Sequence, residues 1–193
     1  MTNWEVDMAK LISLASHKNK KAADRSFGEW KRLFASITRF DEHTKWADLP
    51  DEVILFFCEE SPASKHSFYD LIMNSHRLGS GHEFETQPFE RLSTLLNVYF
   101  FITDQARFEC MRRLGWLETI PKADKSLIEV VMDPASYEYA SLLETPAPTQ
   151  LHPCFEEDAQ TKGMDRAALV RRWAPEAIEQ FRVKVGKEKS SEL

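Results

Sequence analysis

With 193 residues, 42% of them apolar and 29% charged, the chain has the size and balance of one globular domain, with or without an appendage, and neither disorder nor membrane insertion is implied. Six glycines are few for folds that spend glycine on phosphate turns, and three widely spaced cysteines, Cys58, Cys110 and Cys154, encode neither a disulfide framework nor a C-x-x-C metal ribbon. The net charge of −6 is uneven, since residues 1–39 carry eight bases against four acids; an acidic body disfavours general nucleic-acid binding and leaves only a localised basic end.

Thr2-Asn3-Trp4-Glu5 has the form of a capping box, and Trp4, Met8, Leu11, Ile12 and Ala15 then share a stripe, predicting a helix over about 3–16. The same N-terminal residues include Glu5 and Asp7 and form no basic-then-apolar leader, so no secretory signal is read there and the cytoplasm is the expected compartment. Polar residues His17–Lys21 read as a loop or frayed end. Phe27, Trp30, Leu33, Phe34, Ile37 and Phe40 then form the cleanest amphipathic pattern, beginning near Ala23 or Asp24. Residues 41–49 are a connection that places Trp46 over the core.

Pro50, Asp51 and Glu52 suit a first helical turn, which favours helix over strand for the apolar run Val53–Cys58. Ser61 and Pro62 restart the chain into a helix with Phe68, Leu71, Ile72, Ser75 and Leu78 on one face, ending at Gly79. The dominant element is a long central helix over about 88–114, with Thr86 as its cap and Gly115 as its stop. Leu95–Ile102 is apolar except for Asn97, so this half is expected to be covered on every side; Arg107, Glu109, Arg112 and Arg113 mark the later half as the surface-reaching end.

Beyond Gly115, residues 116–132 fit either a minor β-hairpin or a loop and a short helix capped by Asp124, with helix preferred. Tyr137, Ala140 and Leu142 or Leu143 suggest another short helix. Pro146, Pro148 and Pro153 punctuate a strap or linker over 146–164, Asp165 caps a last helical segment, and Pro175 kinks it or starts a new one. The expected organisation is an all-α, irregular helical bundle: a core domain over 1–145, the strap over 146–164, a C-terminal helical segment over 165–185 and a disordered tail over 186–193. Leu169, Val170, Trp173, Ile178 and Phe181 would leave an exposed stripe on that segment, the basis for expecting a homodimer.

No signature of nucleophilic, phosphate-binding or metal chemistry is present, and no cofactor or metal is expected. His66 and Asp70 share a helix face, but neither Glu-x-x-His nor His-Glu-x-x-His accompanies them. His76, His82, Glu83 and Glu85 crowd the Gly79 loop and read mainly as a solvated loop. His152 and Cys154 flank a proline, and in an extended segment such residues do not form a catalytic pair. The hardest polar residues to dismiss are Asn97, Asp104 and Arg107, which share a face of the central helix. The candidate ligand-binding set is therefore Asn97, Asp104, Arg107, His66, Asp70 and His76, and no catalytic residue is assigned. These features lead to a non-enzymatic protein acting through a protein partner or itself, with a small-ligand-binding or weakly catalytic bundle as the alternative and a regulatory nucleic-acid binder third; a concave pocket joining the polar residues of the central helix to those of the His66 helix would favour the second.

Overall fold

The computed structural model describes residues 16–133, 145–158, 160–161 and 164–191. Among them the regular structure is helical: α1 (16–26), α2 (Gly28–Phe34), α3 (Asp51–Cys58), α4 (Pro62–Ser75), α5 (Phe89–Arg113), α6 (Leu127–Met132), α7 (Phe155–Asp158), α8 (Met164–Arg172) and α9 (Ala174–Ser191), with 3-10 turns at Trp46–Asp48 and Gly81–Glu83. No strand forms among these residues; Leu117 and Pro148 meet in one isolated antiparallel bridge. The fold is all-α, and no described helix is long and apolar enough to cross a membrane.

α5 is the long central helix. It runs for 25 residues, roughly 37 Å at 1.5 Å per residue, and packs against α3, α4 and α9. Its start is Pro88 rather than Thr86, whose hydroxyl donates instead to the Glu83 carbonyl at 2.9 Å. Its end is the one the glycine marks: Gly115 takes φ +77°, its N–H bonds Arg112 O at 2.9 Å and the Trp116 N–H bonds Met111 O at 2.9 Å, the paired bonds of a Schellman cap. α4 closes in the same way two residues before Gly79. Arg77 adopts φ +58°, with Arg77 N on Asn74 O and Leu78 N on Met73 O, so the left-handed position falls on an arginine.

The expected cover on every side of Leu95–Ile102 is found only in part: Leu95, Val98, Phe101 and Ile102 are buried, but one face of the run stays open. Phe100 is 56% exposed and Phe89 83%, and Asn97 is exposed as well, whereas Thr103, Asp104, Gln105 and Glu109 are buried. Glu109 and Gln105 go inside with partners, whereas the Thr103 hydroxyl is buried with no hydrogen-bond partner among the described residues. Glu109 receives Arg112 at 2.7 Å and Arg113 at 2.8 Å; Arg113 also bonds Asp51 and donates to the Leu49 carbonyl at 2.6 Å. Gln105 accepts from the Trp46 indole at 3.2 Å and donates to Pro121 O at 2.7 Å. A buried charge is tolerated when paired and hydrogen-bonded in this way.

The densest packing lies beside α5, around Trp30. Its ring centre is 4.0 Å from that of Phe57 and within about 6 Å of Phe27, Phe40, Trp46 and Phe68, and its Nε1 donates to Ser67 O at 3.0 Å. Trp46 lies over the core as expected, and Asp51–Cys58 is a helix. Residues His17–Lys21 are helical rather than a loop: lysine is a good helix former, and Ala22, Ala23 and Ser26 anchor the next turn in the core. α2 stops at Phe34, short of Ile37 and Phe40. Both Ile37 N and Thr38 N bond Phe34 O, and Phe40 re-enters the core from the following loop while Ile37 stays outside.

Residues 116–132 form a loop and a short helix, not a hairpin. Ser126 caps α6 by accepting from Glu129 N at 3.3 Å, and Glu129 accepts from Ser126 N at 2.8 Å, a reciprocal capping box that Asp124 does not supply. The proline strap is seated rather than loose, with Thr149 N bonding Trp116 O at 2.8 Å and the Thr149 hydroxyl donating to Gly115 O at 2.6 Å. Pro175 sits in the first turn of α9, which continues to Ser191 through part of the stretch read as a disordered tail. Ala177, Phe181 and Val185 of α9 are buried against α5 and α3; the stripe expected to be exposed is therefore spent largely within the chain. The predicted helix over 3–16 lies almost wholly outside the described residues, as does the one around Tyr137–Leu143.

Candidate functional site

α3 ends when Glu59 turns extended, with its N–H on Leu55 O at 3.1 Å. Two residues later Ser61 begins α4, its hydroxyl accepting from Ser64 N at 3.0 Å with Pro62 at the first helical position. The three residues between the helices are thereby turned outward. They form one wall of an open cleft of about 670 Å³, closed on its other sides by Arg107 of α5, Arg171 of α8, and Ala174, Ile178, Glu179 and Arg182 of α9.

Three guanidinium groups converge on this cleft, and each is held by acids of the same chain. Arg171 Nε donates to Asp104 Oδ2 at 2.6 Å, Arg107 lies 3.7 Å from the other Asp104 oxygen and also bonds Glu60, and Arg182 donates to Glu59 at 3.0 Å and bonds Glu179. The acids differ in depth. Asp104 is buried, Glu59 is half-buried, and Glu60 and Glu179 stand in solvent. Burial pushes the Asp104 carboxyl above its ordinary value, against the pull of Arg171 and Arg107. Arg107 Nε is buried with no hydrogen-bond partner among the described residues, and Ser61, the N-cap of α4, and the first turn of α9 border the cleft.

Of the residues singled out from sequence, Asp104 and Arg107 do meet, and they meet at this cleft. Asn97 does not join them, being exposed on the other half of α5. His66 and Asp70 face a different partner: Asp70 accepts the Gly81 N–H at 2.9 Å and the His66 ring lies 4.2 Å from that of His82. A Cβ on Gly81 would come within 2.8 Å of Asp70 N, so these two residues seat the Gly81 turn on α4. His76 reaches a third place, with Nε2 3.1 Å from Val131 O of α6. Glu83 accepts from Ser80 N at 3.1 Å and Glu85 receives Lys65 at 2.9 Å, so the loop's acids are occupied in closing it. Among the described residues no group of three or more His, Cys, Asp or Glu is arranged to hold a metal ion.

Sequence reasoning missed Arg171, Arg182, Glu59 and Glu60. Arginines in the last turn of a helix suit its dipole wherever they point, and nothing local distinguishes Arg171 from Arg172. It also dismissed His152 and Cys154. The segment there is a turn, with His152 N on Thr149 O and Phe155 N on His152 O, and it brings Cys154 Sγ to 2.9 Å from His152 Nδ1. Opposed side chains are a property of extended backbone, and this backbone is not extended. Comparison of the chain with protein-family models, with curated proteins and with solved structures finds no match.

Proposed function

We propose that this chain is a small-ligand-binding helical protein whose α4–α5–α9 cleft takes a molecule bearing a carboxylate or phosphate group. The convergence of Arg107, Arg171 and Arg182 on one cleft of about 670 Å³ supports this reading, since such a volume lies in the range of small-molecule sites and a guanidinium fork matches both anions. Glu60, with its side chain 75% exposed, forms the kind of surface ion pair worth about 0–1 kcal/mol, so an incoming anion displaces it at little cost. Asp104 lies deeper and stays, holding Arg171 and Arg107 in place. The cleft takes in Arg107 of the central helix and only the N-cap Ser61 of α4, and does not reach His66 or Asp70.

Isothermal titration with inorganic phosphate and with malonate tests the proposal. At least one should bind saturably at millimolar concentration or below, and Arg107→Gln and Arg182→Gln should each weaken it about tenfold, the loss of one charge-assisted pair. Heat signals that are non-saturable, or indifferent to both substitutions, would sink it.

A second reading rests on a separate observation. Phe89, Leu96 and Phe100 follow helical spacing on α5, and Phe89 and Phe100 are exposed. This face fits self-association, because twofold pairing of two copies brings the same stripe together, and sedimentation of the full chain tests it.

A further inference from the structure

We propose that Cys154 is a gated nucleophile, covered by its own strap and served by His152 as base, that reacts with small soft carbon electrophiles when residues 145–158 lift from the body. The geometry sets the pairing. Both the Cys154 N–H, at 3.1 Å, and the Cys154 sulfur, at 2.9 Å, approach the same ring nitrogen, His152 Nδ1. A backbone N–H can only donate, so Nδ1 is the unprotonated acceptor and the thiol directs its hydrogen there; the ring proton is on Nε2. Sulfur and base are thus already at the separation that a nucleophile and its base require.

In the seated strap the pair is silent. His152 is 2% exposed and Cys154 0%, the imidazole lies edge-on to Trp116 with ring centres 5.2 Å apart, and no electrophile reaches the sulfur. Burial pushes the thiol up to about 11 and the imidazole down to about 4, so both are neutral, as inert buried thiols are. The charged groups acting on the pair are Asp158 and Glu157, which oppose the thiolate, and Arg172, which favours it; Asp158 also favours the imidazolium.

The burial is also incomplete in one respect that favours opening. His152 Nε2, a donor in this tautomer, is buried with no hydrogen-bond partner among the described residues, and such a donor carries its full desolvation penalty until it meets water. The strap is held by Thr149 to Trp116 and Gly115, the Leu117–Pro148 bridge and the His152–Trp116 contact, and at its far end by the Asp158–Arg166 and Glu157–Arg172 ion pairs to α8. Cys58 and Cys110 sit on helices rather than on a strap. Cys110 is fully buried with Sγ on Ala177 O at 3.5 Å, and Cys58, though it borders the cleft, is 1% exposed, with Sγ on Ala106 O at 3.2 Å and its thiol pushed up by burial. In the open state the thiol proton passes from Sγ to Nδ1, the sulfur lone pair forms the S–C bond, the leaving group departs with its electron pair, and the imidazolium proton is released to solvent.

Iodoacetamide is the probe, with iodide as leaving group, and site-resolved mass spectrometry of the full chain in native buffer is the readout. Cys154 should alkylate about tenfold or more faster than Cys58 and Cys110, as local opening precedes global unfolding. Thr149→Val removes the hydroxyl bonds to Gly115 O and Leu151 N, and should raise the Cys154 rate about fivefold while leaving the other two cysteines unchanged. Adding His152→Asn to Thr149→Val should lower that rate about fivefold at neutral pH and move its rise with pH up toward that of an ordinary thiol. Alkylation of all three cysteines together at the global unfolding rate would overturn the gate. An unchanged rate and pH profile in the double variant would overturn the role of the imidazole.

Discussion

Phe100 and Phe181 carry the same ring into opposite surroundings. Phe100 stands on the open face of α5, whereas Phe181 is fully enclosed where α9 meets the bundle. Phe181→Ala should therefore cost about 3–5 kcal/mol and Phe100→Ala less than about 1 kcal/mol in urea melts; equal losses would mean that burial along α5 and α9 is not as described. His152 gives the second residue-scale prediction, and its sign follows from a depressed value. The unfolded chain binds a proton near pH 6.5, the folded one only near 4, so the stability this residue contributes is complete above 6.5 and is lost as pH falls from 6.5 toward 4. A shift of this size is worth roughly 3 kcal/mol at most, by about 1.4 kcal/mol per unit. Urea melts between pH 7 and 4 should show this decline in the wild type, and a shallower one in His152→Asn. Parallel curves would show that the imidazole is not held neutral by the fold.

Helix ends decide how the elements are joined. Gly115 was legible as the stop of α5 because the left-handed position that closes a Schellman cap suits a residue without a Cβ. Its replacement by alanine meets two objections, φ of +77° and a Cβ only 3.2 Å from Leu151 Cδ1 of the strap. Gly115→Ala should cost at least about 1 kcal/mol. Because the Gly115 carbonyl also receives Thr149, it should raise hydrogen exchange at Thr149 N–H more than at the α4 amides; uniform acceleration would show the strap and the cap to be uncoupled. The end of α4 was misplaced for a complementary reason. Arg77 occupies the position where a glycine is usual, and the sequence points instead to Gly79. At the other end of the chain, the polar run His17–Lys21 resembled a loop because polarity was read as irregularity, whereas exposed lysines are compatible with a helix anchored by Ala22 and Ala23.

For the whole molecule, the seating of α9 changes what association requires. Its apolar stripe is largely used inside the chain, so among the described residues the proposed self-contact moves to the Phe89–Phe100 face of α5. Sedimentation velocity should show the full chain self-associating at micromolar concentration or above, and Phe89→Glu with Phe100→Glu should abolish this without altering the thermal midpoint by more than a few degrees. A wild-type chain that remains monomeric throughout would remove the self-association reading and leave the cleft reading intact. The sequence by itself determined the all-α class, the long helix near 88–114, the helical state of Asp51–Cys58, the Gly115 stop and the Asp104–Arg107 pairing. These depend on periodicity, caps and i,i+3 neighbours, all local in the chain. Only the tertiary structure decided which face of the apolar run on α5 stays open and which of its polar groups are buried, that Arg171 and Arg182 join Arg107 in one cleft, and that His152 turns toward Cys154. Burying Asp104 or Glu109 depends on partners having the right charge and geometry. For Glu109 they lie within one helical turn, but only the packed chain reveals that the group they neutralise faces inward; for Asp104 the nearest, Arg171, is 67 residues away, and no local pattern specifies such a meeting.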